Sequence, residues 1–244
     1  MNKIVLPTPE KLGKCAASHA AKLINQYIKK QNHARILLST GASQLMTLYA
    51  LISEDVDWSK VEMFHLDEYI NLPQEHPASF VKYLKERFAE KINLAKAHYV
   101  DTTKDIDTLI KGLTNEIRRL PIDVGLIGIG ENAHIAFNDP PADFGSKEAY
   151  ITVSLAESCR KQQLGEGWFP TLDDVPKKAV TITVHQILQC RHIISAVPFS
   201  VKATAVRDTF NAPEITPDIP STALRQHDDV TVYLDNESAS LLEF

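Results

Sequence analysis

The residues best equipped for chemistry gather in Gly128–Asp139, GIGENAHIAFND, directly after the apolar run Ile122–Ile127. A short β-branched run that breaks into Gly-x-Gly reads as a buried parallel strand ending in a tight loop. Open α/β sheets place their chemistry beyond the carboxyl ends of such strands. Here that end carries Glu131, Asn132, His134, Asn138 and Asp139. His134 is open to two readings, an ordinary hydrogen-bonded ring or an acid–base group. The glycines let the backbone turn sharply and approach a ligand closely. A second concentration is Asp67-Glu68, two adjacent carboxylates directly after the strand-like Val61–His65. They cannot both point into one core, so at least one is solvated or working. A third is Ser39-Thr40-Gly41-Ala42-Ser43, small residues between the strand-like Ala34–Leu38 and the helical spacing of Gln44–Ile52. Strand, small-residue loop and helix aim backbone N–H groups and a helix dipole at an anion. A plain βα turn is the competing reading.

The elements that must position these residues follow from periodicity and capping. Thr8-Pro9-Glu10 starts a helix, with a capping hydroxyl, a proline at the first helical position and an acid in the first turn. Leu12, Ala16, Ala20, Leu23, Tyr27 and Ile28 extend it at helical spacing. Pro77-Ala78-Ser79 opens a helix to about Ile92, and Asp105–Leu120 reads as another. Strands are expected around His98–Val100 and at Ile151–Leu155, Ala179–Val184, His192–Ala196 and Val230–Leu234. Phe199–Phe210 reads as a helix with Lys202 near its start. Ala142–Glu148 is expected to be a loop able to cover the site, and Gln162–Asp174 to be irregular. Strands and helices alternate without repeat or linker, which predicts one α/β domain over residues 1–244. The sheet should be modified doubly wound and largely parallel, with helices on both faces.

Composition excludes several classes. Apolar content of 44% and charge of 23% fit a globular chain. A net charge of −5 argues against a nucleic-acid binder, which needs a basic patch. Cys15, Cys159 and Cys190 are odd in number and lack CxxC spacing, which points to reduced thiols in a cytoplasm. No apolar run approaches transmembrane length, and the start lacks a signal-peptide pattern, so neither a membrane nor export is expected.

Three segments in this order, STGAS at 39–43, FHLDEYINLPQEHPASF at 64–80 and GIGENAHIAFNDP at 128–140, resemble the glucosamine-6-phosphate deaminase family. The related 6-phosphogluconolactonases share the fold and the glycine–histidine loop, but Tyr69 and Ile135-Ala136-Phe137-Asn138 side with the deaminases. The resemblance implies a doubly wound sheet and a reaction without metal or organic cofactor. An amino-sugar phosphate (glucosamine-6-phosphate or galactosamine-6-phosphate) is ring-opened, isomerised through an enediol to a ketose 6-phosphate, and releases ammonia. It also implies a phosphorylated amino sugar as the small-molecule partner and leaves room for a homo-oligomer.

By the same resemblance Asp67 stands where the carbon base stands and His134 where the ring-opening acid stands. Thr40, Gly41, Ala42 and Ser43 lie where the phosphate loop lies, and Lys202 matches the lysine that joins it. Residue types suit these tasks: a carboxylate against carbon in a closed site, a histidine for moving protons on oxygen, and remote phosphate binding to orient the sugar. The family's Asp-Gly before the histidine is here Asn132-Ala133, and its later glutamate is Asp139. Asparagine is expected to fix the histidine tautomer poorly, which leaves Asp139 as the carboxylate to orient His134. The family's substrate arginine is replaced by Gly167-Trp168-Phe169, with Arg160 a few residues upstream. A lactonase using His134 to activate water and a non-catalytic sugar-phosphate binder are the alternatives. A metal set of His65, Asp67, His76 and His134 fits no standard spacing.

Overall fold

The computed structural model describes residues 1–165 and 167–243. Among these the chain runs β1 (Asn2–Leu6), α1 (Pro9–Gln31), β2 (Ala34–Leu38), α2 (Leu45–Ile52), β3 (Val61–His65), β4 (Asp67–Tyr69), α3 (Phe80–Arg87), β5 (Lys96–His98), α4 (Ile106–Arg118) and β6 (Val124–Leu126). It continues through β7 (Tyr150–Ser154), α5 (Glu157–Gly165), β8 (Lys178–Ile182), α6 (Val184–Ile187), β9 (His192–Val197), α7 (Ala203–Asn211) and β10 (Val230–Asp235), with 3-10 turns between. Seven strands form one parallel sheet in the order β1-β10-β9-β6-β2-β3-β5. The expected doubly wound, largely parallel architecture is therefore observed. No helix among the described residues is long and apolar enough to cross a membrane.

Alternation along each strand feeds two cores. Leu37, Phe64, Ile193 and Val232 face one side with α4, α6 and α7, whose Leu109, Leu113, Ile117, Ile187 and Val206 share that cluster. Ile36, Leu38, Met63, Ile194 and Tyr233 face the other, against Leu12, Ala16, Ala20 and Ile24 of α1 and Leu48 and Leu51 of α2. Successive residues of a strand point to opposite faces, so a strand covered on both sides is mostly apolar, and the opposite charges of Arg35 in β2 and Glu62 in β3 pair with each other. The start of α1 is as its sequence dictates, with the Thr8 hydroxyl accepting the Lys11 N–H at 3.3 Å.

The chain leaves β2 toward β3 and β5 on one side, and leaves β6 toward β9 and β10 on the other. β2 and β6 are neighbours, so the crevice between their carboxyl ends is the topological switch point, where such sheets bind ligands. At the opposite, amino end of β2, Arg35 ties down the end of α4. It is fully buried within β2, donates to the carbonyls of Glu116, Ile117 and Leu120 at the end of α4, and pairs with Glu62 at 3.1 Å. A cation suits these carbonyls, which carry the negative end of the helix dipole.

Several expectations are corrected. β1, which the sequence reading left out, pairs in parallel with β10 and completes the sheet edge. A second, antiparallel sheet, β4-β8-β7, was also unforeseen. β6 is shorter than the Ile122–Ile127 run, and β5 precedes the expected His98–Val100. Much of the 162–174 stretch is ordered, since α5 reaches into it and a 3-10 turn spans Leu172–Asp174; residue 166 lies outside the described residues. α5 buries only Cys159 and Gln163, so no apolar stripe announced it. The 142–148 loop does not cover the site; Ala142 is buried and its N–H bonds the Pro217 carbonyl at 2.9 Å.

Candidate active site

The loops that follow β2, β3, β6 and β9 enclose a cleft with a cavity volume of about 190 Å³. Thr40, Gly41, Ala42 and Ser43 come from the first, Asp67 from the second, Gly128, Gly130, Glu131 and His134 from the third, and Lys202 from the fourth. Four segments far apart in the sequence thus meet at the switch point.

The loop after β2 turns at Gly41, whose φ of 98° suits a residue without a side chain. The Gln44 amide ties the loop to its neighbours, donating to Ser43 Oγ and to the Ala196 carbonyl of β9, both at 3.0 Å. Lys202 ends the 3-10 turn Ser200–Lys202 and is only 7% exposed while lining the same cleft. A lysine lining the same cleft as a small-residue loop is an arrangement suited to an anion.

The expectation that one of the two carboxylates is solvated or working resolves in an unexpected way, because neither is solvated. Glu68 is 2% exposed, and its carboxylate accepts from Ser79 Oγ at 2.7 Å, the Val81 N–H at 2.8 Å and the Tyr69 N–H at 2.9 Å. It thus anchors the start of α3 to β4. Asp67 is also buried, yet lines the cleft. Burial, then the neighbouring Glu68 charge, push its pKa up to about 8, against a hydrogen bond from the Phe137 N–H that lowers it. A carboxyl so tuned is a far stronger base once ionised than a solvated aspartate.

His134 is placed by Gly130. A Cβ at residue 130 would collide with the imidazole ring, so the ring lies directly on that Cα. Gly130 serves the close approach, while the left-handed turns of this segment fall on Ala133 (φ 65°) and Ala136 (φ 50°) instead of on its glycines. Asn132 Oδ1 lies 2.6 Å from His134 Nδ1 and also accepts the His134 backbone N–H at 3.2 Å. Asn132 Nδ2 in turn donates to Asp139 Oδ1 at 3.1 Å, and that oxygen is 3.4 Å from His134 Nδ1. With the amide oriented by Asp139, its oxygen requires a proton on Nδ1, which leaves the Nε2 lone pair for the cleft. The expectation that asparagine fixes this tautomer poorly is corrected: the amide does so, because a carboxylate behind it sets its direction. Burial raises the Asp139 pKa, but the hydrogen bond and charge of His134, with help from Asn132 and the Ala156 N–H, hold it below the ordinary value.

Other sequence candidates lie elsewhere. Glu131 lines the cleft but is exposed, and its N–H faces Gln162 at 3.4 Å. Arg160 does not stand in for the missing arginine: its guanidinium donates to the Leu172 and Val175 carbonyls. Elsewhere, His65 Nδ1 accepts from the Val100 N–H at 3.4 Å and His76 stacks on Phe169. Among the described residues, His134, Asp139 and Cys159 are the group whose donor atoms lie within 4.8 Å of one another. The sequence reading missed Phe80, Phe137, Gln162, Phe199 and Val201 as cleft residues. The aromatic and aliphatic members read as core, and Gln162 sits in a stretch whose weak periodicity pointed to irregular structure.

The family model for glucosamine-6-phosphate isomerases/6-phosphogluconolactonase matches residues 7–233. A glucosamine-6-phosphate deaminase of Bacillus cereus (strain B4264) is 32% identical over 243 residues, covering 99% of this chain and 89% of that protein. One from Lactobacillus delbrueckii subsp. bulgaricus (strain ATCC BAA-365 / Lb-18) is 30% identical over 244 residues and covers all of both chains. Among solved structures, a monomeric glucosamine-6-phosphate deaminase superposes with a TM-score of 0.90 at 32% identity, covering 99% of this chain and 100% of that one. A 6-phosphogluconolactonase from Thermotoga maritima superposes at 0.78 with 16% identity, covering 96% and 98%, which speaks for the fold alone.

Proposed function

The chain belongs to the glucosamine-6-phosphate isomerase/6-phosphogluconolactonase family, and we propose that it is an amino-sugar-phosphate isomerase/deaminase acting on glucosamine-6-phosphate. The observation that carries this reading is one cleft in which a buried Asp67, a tautomer-fixed His134 and a lysine-backed small-residue loop converge. A lactonase needs the histidine and the phosphate grip but no carboxylate poised against carbon.

In the proposed reaction Thr40–Ser43 and Lys202 hold the phosphate and so fix the reacting carbons. His134 Nε2 accepts the proton of the anomeric hydroxyl and delivers it to the ring oxygen as the bond from that oxygen to carbon 1 breaks. Ionised Asp67 then removes the proton from carbon 2 and returns it to carbon 1 through an enediol-type enolamine, while oxygen 1 gains a proton and the amine nitrogen loses one. The imine left at carbon 2 adds water and expels ammonia, giving the ketose 6-phosphate. Asn132 and Asp139 keep the histidine in its working tautomer throughout. Phosphorylated substrate and an odd set of three cysteines support a cytoplasmic setting.

The test is an assay of ammonia and ketose phosphate from glucosamine-6-phosphate and galactosamine-6-phosphate, run beside hydrolysis of 6-phosphogluconolactone. Lactone hydrolysis without ammonia release would overturn the reading.

A further inference from the structure

Phe199 has a backbone that its side chain does not suit. Its φ of 81° and ψ of 145° lie at the edge of a region that glycine alone populates readily, and a phenyl-bearing residue is strained there. The fold holds it in place. Its N–H donates to Asp235 Oδ2 at 2.9 Å, and that carboxylate, at the end of β10, is 1% exposed. Its carbonyl accepts the Lys202 N–H at 3.0 Å, closing the turn that presents the lysine.

Glycine would satisfy the same backbone without strain, so the geometry of the turn does not require a phenyl group. Nor does the core, because Phe199 joins none of the three apolar clusters and is only half-buried. Phe199 does line the cleft, beside Lys202 and the 57% exposed Val201. Strain without a return in packing is found where a side chain is needed for ligand contact.

We propose that Phe199 is a substrate-positioning residue, its ring forming the apolar wall that packs on the C–H bonds at the phosphate-bearing end of the sugar and keeps water from the Lys202–phosphate contact. The assignment rests on the sugar-phosphate reading above. The ring lies on the same turn as Lys202, so it touches the end of the ligand that both hexosamine phosphates share. Its loss weakens both epimers by the same factor.

Two substitutions separate strain from contact. Phe199→Gly removes both the strain and the ring, whereas Phe199→Ala removes the ring and keeps most of the strain. Phe199→Gly should melt above the wild type by about 2–8 °C, and Phe199→Ala no higher than the wild type. Both should lower kcat/KM for ammonia release roughly tenfold, mainly through KM, as for a lost aromatic contact. Calorimetric affinity for glucose 6-phosphate should weaken by a similar factor. Wild-type kcat/KM in the two variants overturns the proposal, as does a Phe199→Gly protein that melts below the wild type, since the ring would then support the fold. If the unaltered protein releases no ammonia, the deaminase reading fails by itself, and the melting and glucose 6-phosphate arms still decide the role of Phe199.

Discussion

Asp67 and Glu68 share a peptide bond but send their carboxylates to opposite sides of β4, one into the cleft and the other into three hydrogen bonds at the start of α3. The adjacency divides the labour between chemistry and structure. Asp67→Asn keeps the shape and removes the base, so turnover should fall by about two to four orders of magnitude with substrate binding retained. Persistence of deuterium exchange at carbon 2 in that variant would refute the assignment.

Glu68→Gln should act on stability instead. It keeps an acceptor for Ser79 or for a backbone N–H but gives up the charge-assisted set, at about 1 kcal/mol. Turnover should stay within about threefold of wild type. Chemical denaturation beside steady-state kinetics checks this, and a loss of turnover as deep as that of Asp67→Asn would contradict it.

The raised pKa of Asp67 has two consequences with defined signs. A base works ionised, so kcat/KM should climb as pH rises through about 8, and this limb should vanish in Asp67→Asn. Between the ordinary carboxylate range and about 8, the folded chain keeps a proton that the unfolded chain has released. Stability contributed by this group therefore falls as pH rises across that window. The melting temperature of Asp67→Asn should exceed that of the wild type by a margin that widens from pH 5 to pH 8. A constant margin would show that Asp67 does not titrate in this range.

Lys202→Ala should weaken binding of glucosamine-6-phosphate far more than that of glucosamine, because a buried ammonium gives most of its energy to a dianion. Equal losses for the two sugars, measured by calorimetry, would remove the lysine from the phosphate site.

Much of this arrangement was legible in the chain before its structure. Ala34–Leu38 and Val61–His65 were readable as strands because each is a short, mostly apolar run, the first ending in the small-residue Ser39–Ser43 loop and the second at the Asp67-Glu68 pair. Thr8 marked a helix start through its capping side chain. β1 was not legible: Asn2–Leu6 is an edge strand with three of its five residues exposed. β4 was hidden by its composition, since Asp-Glu-Tyr has no strand pattern and is held by pairing with Ala179–Thr181. At the site, residue types indicated Asp67, His134 and the Thr40–Ser43 loop, whereas Phe199 is marked only by a dihedral angle. The bridging role of Asn132 depends on which way its amide points, and Asp139, seven residues on, decides that.

That amide leads to the last prediction. Asn132 accepts from His134 with its oxygen and donates to Asp139 with its nitrogen, so it joins two groups of opposite demand. Asn132→Asp puts a second carboxylate where the amide nitrogen now meets Asp139 Oδ1 at 3.1 Å. Like charges at that separation cannot both stay ionised cheaply, so one must take up a proton or move away. The histidine then loses its fixed direction, and a displacement of about 1 Å can lower the rate on the order of 100-fold. Asn132→Asp alone should therefore be roughly 10- to 100-fold slower at neutral pH, with part of the loss recovered at lower pH as the pair shares a proton. Adding Asp139→Asn restores one amide and one carboxylate in reversed order, and the double variant should regain most of the activity. The measurement is ammonia release from the cyclic sugar phosphate across pH 5.5–8.5 for the single and double variants. A single variant as fast as the wild type at neutral pH would show that the amide bridge does not govern ring opening.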